Sequence, residues 1–138
     1  MILIDTSVWI DFLTGRDTPQ SRAIESLVEN REDICICGIV LTEVLQGIRE
    51  KREYDRTKAV LSELIFLPMT QEIFLLAATI YRTCRSRGIT IRNSTDCMIA
   101  ATCIRHGVGL LHNDKDFDSI NSQFSLQIAG LGRATASV

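Results

Sequence analysis

The chain has 138 residues, 46% hydrophobic and 23% charged, an ordinary globular balance with enough length to bury the core of one domain. Its 15 Lys and Arg against 17 Asp and Glu leave a net charge of −2, which argues against a sequence-blind nucleic-acid coat but not against a nuclease with a local basic patch. No apolar run approaches the ~20 residues needed to cross a bilayer, and the opening MILID meets an acid before any signal-like core forms, so neither membrane insertion nor secretion is expected.

Ile2 to Ile4 is a short apolar run that predicts a buried strand ending at Asp5. Thr6 or Ser7 is placed to cap the helix that follows, which carries Val8, Trp9 and Phe12 and closes at Gly15. Thr18-Pro19 starts a second helix with proline at its first position, and Ala23, Ile24, Leu27 and Val28 form its apolar face. Ile34 to Cys37 predicts a second strand. Gly38 breaks to a helix with Leu41, Val44, Leu45 and Ile48 as its buried stripe, and Glu43 stands beside that stripe. The charged segment 49–63 reads as an exposed helix, and 64–67 as a third strand stopped by Pro68. Gln71 to Arg87 has the cleanest helical period, through Ile73, Leu76, Ala77, Ile80, Tyr81 and Cys84, and Gly88 ends it.

From Cys97 to Ile104 the chain is apolar almost all round, which marks a buried helix, with Asp96 in its first turn. Val108 to Leu111 predicts another strand. Asp114 and Asp116 follow, then a short helix from about Asp116 to Ile120. Residues 126–129 are the candidate last strand. Residues 131–138 are expected to form a flexible tail, leaving 1–130 as the domain.

Strands alternating with helices predict an α/β fold, a parallel sheet of four to five strands with helices on both faces. In such a sheet, sites form at the carboxyl ends of strands near a change in strand order. Asp5 and Asp114 lie at or just past strand ends. Glu43 lies one turn into the helix after a strand, and Asp96 starts a helix facing the same edge. Each acid has an ordinary reading: Asp5 in a turn, Asp96 with Asn93 or Ser94 in a capping box, Asp114 and Asp116 as caps, Glu43 on an exposed face. Four acids expected on one rim weaken those readings together. Clustered carboxylates raise one another's pKa, and a divalent cation relieves the repulsion. All-oxygen donors favour Mg²⁺ or Mn²⁺.

The five cysteines, Cys35, Cys37, Cys84, Cys97 and Cys103, fall mostly inside apolar patterns and read as reduced, buried thiols of a cytoplasmic protein. No Cys/His quartet completes a zinc site. Basic residues cluster at Arg49, Lys51, Arg52, Arg56 and Lys58, and again at Arg82, Arg85, Arg87 and Arg92; both clusters also fit solvated helix faces. His112, two residues before Asp114, is a candidate substrate contact or an ordinary structural residue.

Four stretches, ILIDTSVWIDFL, LTEVLQGI, TIRNSTDCMIAATCIRHG and LLHNDKDFDSI, occur in an order and spacing that resembles the PIN-domain ribonucleases, and among them the VapC-type toxins of toxin–antitoxin pairs. The likeness runs from Ile2 to about Ile128. It implies a PIN-like three-layer fold and a metal-dependent endoribonuclease that cleaves RNA phosphodiester bonds with a metal-activated water. It assigns Asp5, Glu43, Asp96 and Asp114 to catalysis, with Asp5, Asp96 and Asp114 as metal ligands for Mg²⁺ or Mn²⁺. Thr6, Asp116 and Asn93 are supporting or uncertain members, and Arg92 and His112 are the candidate RNA contacts. His112 stands where many relatives carry Thr or Ser. The resemblance also implies a VapB-type antitoxin as partner and a homodimer within the complex, with no membrane. Two other classes stand beside it. One is a non-catalytic PIN-fold module that binds RNA or a partner. The other is a phosphatase with Asp5 as nucleophile, disfavoured because residue 7 is Ser and not a second acid.

Overall fold

The computed structural model describes residues 1–130, so the tail expected at 131–138 lies outside the described residues. The elements run β1 (Ile2–Ile4), α1 (Thr6–Leu13), α2 (Pro19–Glu29), β2 (Ile34–Cys37), α3 (Gly38–Gln46), α4 (Lys51–Ser62), β3 (Ile65–Leu67), α5 (Gln71–Ser86), α6 (Ser94–His106), β4 (Gly109–Leu111) and α7 (Lys115–Asn121). The four strands form one parallel sheet in the order β3-β2-β1-β4. Among the described residues no helix is long and apolar enough to cross a membrane.

Strand order explains the layers. The steps β1→β2 and β2→β3 move the same way across the sheet, so right-handed crossovers put α1 to α4 on one face. The return from β3 to β4 crosses the sheet and carries α5 and α6 over the other face. β1 and β4 are therefore neighbours reached from opposite directions. That is where a crevice opens at the carboxyl ends of the strands.

The core follows the apolar runs. Leu3, Ile4, Cys35, Ile36, Leu110 and Leu111 are buried in the sheet, and Ile99, Ala100, Ala101 and Cys103 of α6 are buried beneath it. The breadth of burial on α6 matches its nearly continuous apolar sequence. On α5 the buried residues are Ile73, Ala77, Ile80 and Cys84, one face of a 3.6-residue period. All five cysteines are buried and unpaired with one another.

Local chemistry sets several boundaries. Thr18 caps α2 in a reciprocal box with Ser21, and Pro19 occupies the first turn. Gly107 ends α6 with φ +67°, a left-handed cap that turns the chain directly into β4. Gly109 sits beside Ile2 across the β1–β4 pair, where a Cβ would lie 3.0 Å from the Ile2 Cδ1.

Three expectations change. The N-cap of α1 is Asp5, not Thr6 or Ser7, and its side chain makes no capping bond. The buried positions on α3 are Val40 and Val44, whereas Leu41, Leu45 and Ile48 are only partly covered. Residues 126–129 do not form a strand. They approach β4 through one parallel bridge, Leu110 to Ile128, in which the Leu110 N–H donates to the Gln127 carbonyl and the Ala129 N–H to the Leu110 carbonyl (2.8 Å each).

Candidate active site

A cavity of about 400 Å³ opens at the β1–β4 boundary. Asp5, Glu43, Asp96, Asp114 and Asp116 all line it, facing one cation, Arg92. Thr6 and Asn93 line it too. The four acids expected on one rim are thus brought together, and Asp116 joins them.

Asp5 ends β1. Its backbone N–H donates to the Leu111 carbonyl at the end of β4 (3.0 Å), which locks the two strand ends side by side. Its carboxylate is 6% exposed and accepts a bond from Ser7 Oγ (3.0 Å). Burial pushes the Asp5 pKa up, the Ser7 hydroxyl pulls it back, and the Glu43 charge raises it further. Glu43 reaches the cavity from α3, where Thr6 Oγ1 donates to its Oε1 (2.7 Å). That bond joins the first turn of α1 to the middle of α3.

Asp96 lies in the first turn of α6. Asn93 caps this helix, accepting from the Thr95 N–H (3.1 Å), so Asp96 itself does not serve as the cap. Among the described residues no backbone or side-chain donor bonds its carboxylate. Burial raises its pKa first, and the charges of Asp5, Asp114, Asp116 and Glu43 add to that, carrying it up to about 7.

Asp114 caps α7, accepting from the Asp116 N–H (2.9 Å). Arg92 Nη2 donates to both Asp114 oxygens (3.1 and 3.3 Å). Arg92 also holds Asp116 through its backbone N–H (3.3 Å) and Nε (3.4 Å) on Oδ2. Asp116 is 5% exposed. One ligand oxygen each from Asp96, Asp114 and Asp116 lies within 4.8 Å of the others. Asp116 thus joins Asp96 and Asp114 in one close trio, and the charge of Asp5 is the first of those that act on Asp96.

His112 faces inward, with 6% of its side chain exposed. Its Nδ1 accepts the Asp114 N–H (3.1 Å), which assigns the proton to Nε2, 3.5 Å from Asp118 Oδ1. The ring also packs on Phe117 at 5.0 Å between centroids. These contacts put His112 behind Asp114 and turn both ring nitrogens to protein. Ser7 was not among the expected site residues. The signal for it is the D-T-S run, which places a hydroxyl two residues after an acid at a strand end.

The donor set fits a hard divalent cation. It is all oxygen, its members converge, and Asp96 carries a charge that no protein donor stabilises. No cysteine lines the cavity.

Residues 2–122 match the PIN domain family. The chain is 38% identical to ribonuclease VapC11 of Mycobacterium tuberculosis over 133 residues, covering 94% of this chain and 98% of that one. It is 33% identical to ribonuclease VapC19 of the same organism over 106 residues, 75% of this chain and 81% of that one. The fold is similar to the crystal structure of DNA-bound VapBC from Salmonella typhimurium, with a TM-score of 0.74, 20% identity, and coverage of 93% and 96%. Four acids and their partners at a β1–β4 crevice, inside a sequence this close to two VapC ribonucleases, make the chain a member of the PIN-domain family in its VapC branch.

Proposed function

We propose that this protein is an endoribonuclease, the toxin of a VapBC-type toxin–antitoxin pair, and that it uses Mg²⁺ or Mn²⁺ to hydrolyse RNA phosphodiester bonds in the cytoplasm. The observation that carries the reading is Asp96: a carboxylate without a donor, raised to about 7 by burial and then by four neighbouring acids, in a cavity with a single cation. An isolated structural carboxylate is not built this way.

Asp96, Asp114 and Asp116 would hold the cation, with Asp5 beside them. When bound, it supplies Lewis acidity toward water and charge neutralisation at phosphate. The remaining work falls to the chain. Glu43, fixed by Thr6, orients the attacking water and accepts its proton. Arg92, whose side chain is 66% exposed, is the group that meets the phosphate. Of the basic residues grouped along the sequence, Arg92 alone lines this cavity. His112 and Ser7 act as positioning residues, for Asp114 and Asp5 respectively. A VapB-type antitoxin as inhibitor and a homodimer within that complex belong to the same proposal.

The test uses purified protein on end-labelled RNA with Mg²⁺, Mn²⁺ or EDTA. Cleavage is expected with either metal, not with EDTA, and not from Asp96→Asn. Cleavage that survives both EDTA and Asp96→Asn rejects the reading. RNA binding without any cleavage points instead to a binding module.

A further inference from the structure

Arg92 occupies an unusual place. It leads into α6 on the chain before Asn93, yet its bonds go to the start of α7, more than twenty residues on. Its guanidinium meets Asp114 with both carboxylate oxygens engaged and Asp116 through Nε, while its backbone N–H fixes the same Asp116 oxygen. Those two acids are two of the three that converge on one another. The third, Asp96, receives nothing from Arg92. One cation of the protein's own therefore sits on two-thirds of the ligand set.

We propose that Arg92 is the built-in counter-ion of the carboxylate cluster, held on Asp114 and Asp116 while the site lacks a divalent cation and displaced when one enters. The inference rests on the metal-dependent reading above and adds to it how the carboxylates are held together before a cation binds. Five carboxylates around one cavity repel one another, and without a cation they would splay or take up protons. A guanidinium forked onto two of them holds the geometry open for exchange. Because Arg92 is largely exposed, its side chain has a route out toward solvent and toward a phosphate arriving from that side. The backbone N–H bond to Asp116 does not depend on the side chain, so Asp116 keeps one fixed donor after the exchange.

Removing this neighbour of the cation site should improve metal binding. Titration of Mn²⁺ into RNA-free Arg92→Gln protein is expected to show affinity about three- to tenfold tighter than wild type, since a like charge beside the ion is gone and exposure screens the rest. Thermal melting supplies a second readout with a change of sign. In EDTA, Arg92→Gln is expected to melt below wild type, and at saturating Mn²⁺ the gap closes or reverses. Mn²⁺ affinity equal to or weaker than wild type overturns the proposal, as does a melting deficit that is the same with and without metal. Those results make Arg92 a fixed brace and leave the metal site standing. If wild type, Arg92→Gln and Asp96→Asn all fail to bind Mn²⁺, the metal reading itself falls and this proposal with it.

Discussion

Asparagine at position 96 is expected to make the cation-free protein more stable at neutral pH. Asp96 has a folded pKa of about 7, against about 3.9 in an unfolded chain. Between those values the native state keeps a proton that the unfolded state has lost. Stability therefore falls as pH rises from about 4 to about 7, and the loss is complete above that window. At face value that difference is worth roughly 4 kcal/mol. Asp96 is only half-buried, and solvent screening reduces that to about 1–2 kcal/mol. The carboxylate also lies in the first turn of α6, where a negative charge returns about 0.3–1 kcal/mol. The balance favours Asp96→Asn by about 1 kcal/mol, or about 3–5 °C in Tm for a chain of this size. Urea and thermal unfolding in EDTA at pH 5 and pH 8 measure it. The mutant should lead at pH 8, and its lead should shrink to about a third of that at pH 5. With saturating Mn²⁺ at pH 8 the order should invert, because wild type alone gains from binding. A mutant that is less stable than wild type at pH 8 in EDTA, or a difference that ignores pH, refutes the argument that Asp96 is an uncompensated charge.

Thr6→Val removes the 2.7 Å bond to Glu43, and RNA cleavage should slow about tenfold in kcat with KM little changed, while stability moves by about 1 kcal/mol or less. His112→Leu keeps the packing on Phe117 but strips the Asp114 N–H of its acceptor, so urea denaturation should show a loss of about 1–3 kcal/mol. The thiols should be silent to an aromatic disulfide reagent at pH 8 in the native protein and should all react in urea: every cysteine is buried, and burial carries the Cys97 pKa up to about 11.

The parts of this molecule legible in its sequence are those determined over a few residues. Strand runs such as Ile2–Ile4 and Ile34–Cys37, the Pro19 start and the Gly88 stop each carry their own local chemistry. Asp5, Glu43, Asp96 and Asp114 are legible as a group because each stands at the end of a strand or in the turns just after one, and parallel topology sends those ends to one edge. What stays hidden depends on residues far apart in sequence. The Thr6–Glu43 bond spans 37 positions, and nothing near either residue announces it. Asp116 joins Asp96 and Asp114 because of how α7 is turned and where Arg92 reaches it. The inward turn of His112 depends on Phe117 and Asp118 one helical turn later. On α3 the burial shifts to Val40 and Val44 because the helix meets its neighbours on two sides, α1 and α6, which a single-stripe pattern does not describe.

The pairing of β1 with β4 also governs when the protein becomes dangerous to its maker. Ile2 aligns with Gly109, so β1 waits for more than a hundred further residues to be made before this edge is satisfied. Asp5 is fixed only when Leu111 arrives to accept its N–H, and Asp114 and Asp116 are synthesised later still. A nascent chain that already displays Asp5, Glu43 and even Asp96 holds half a cavity. It has no partner for Arg92 and no trio of acids. For a ribonuclease born beside messenger, transfer and ribosomal RNA, this order of assembly delays the ability to cut until β4 and the start of α7 have been made.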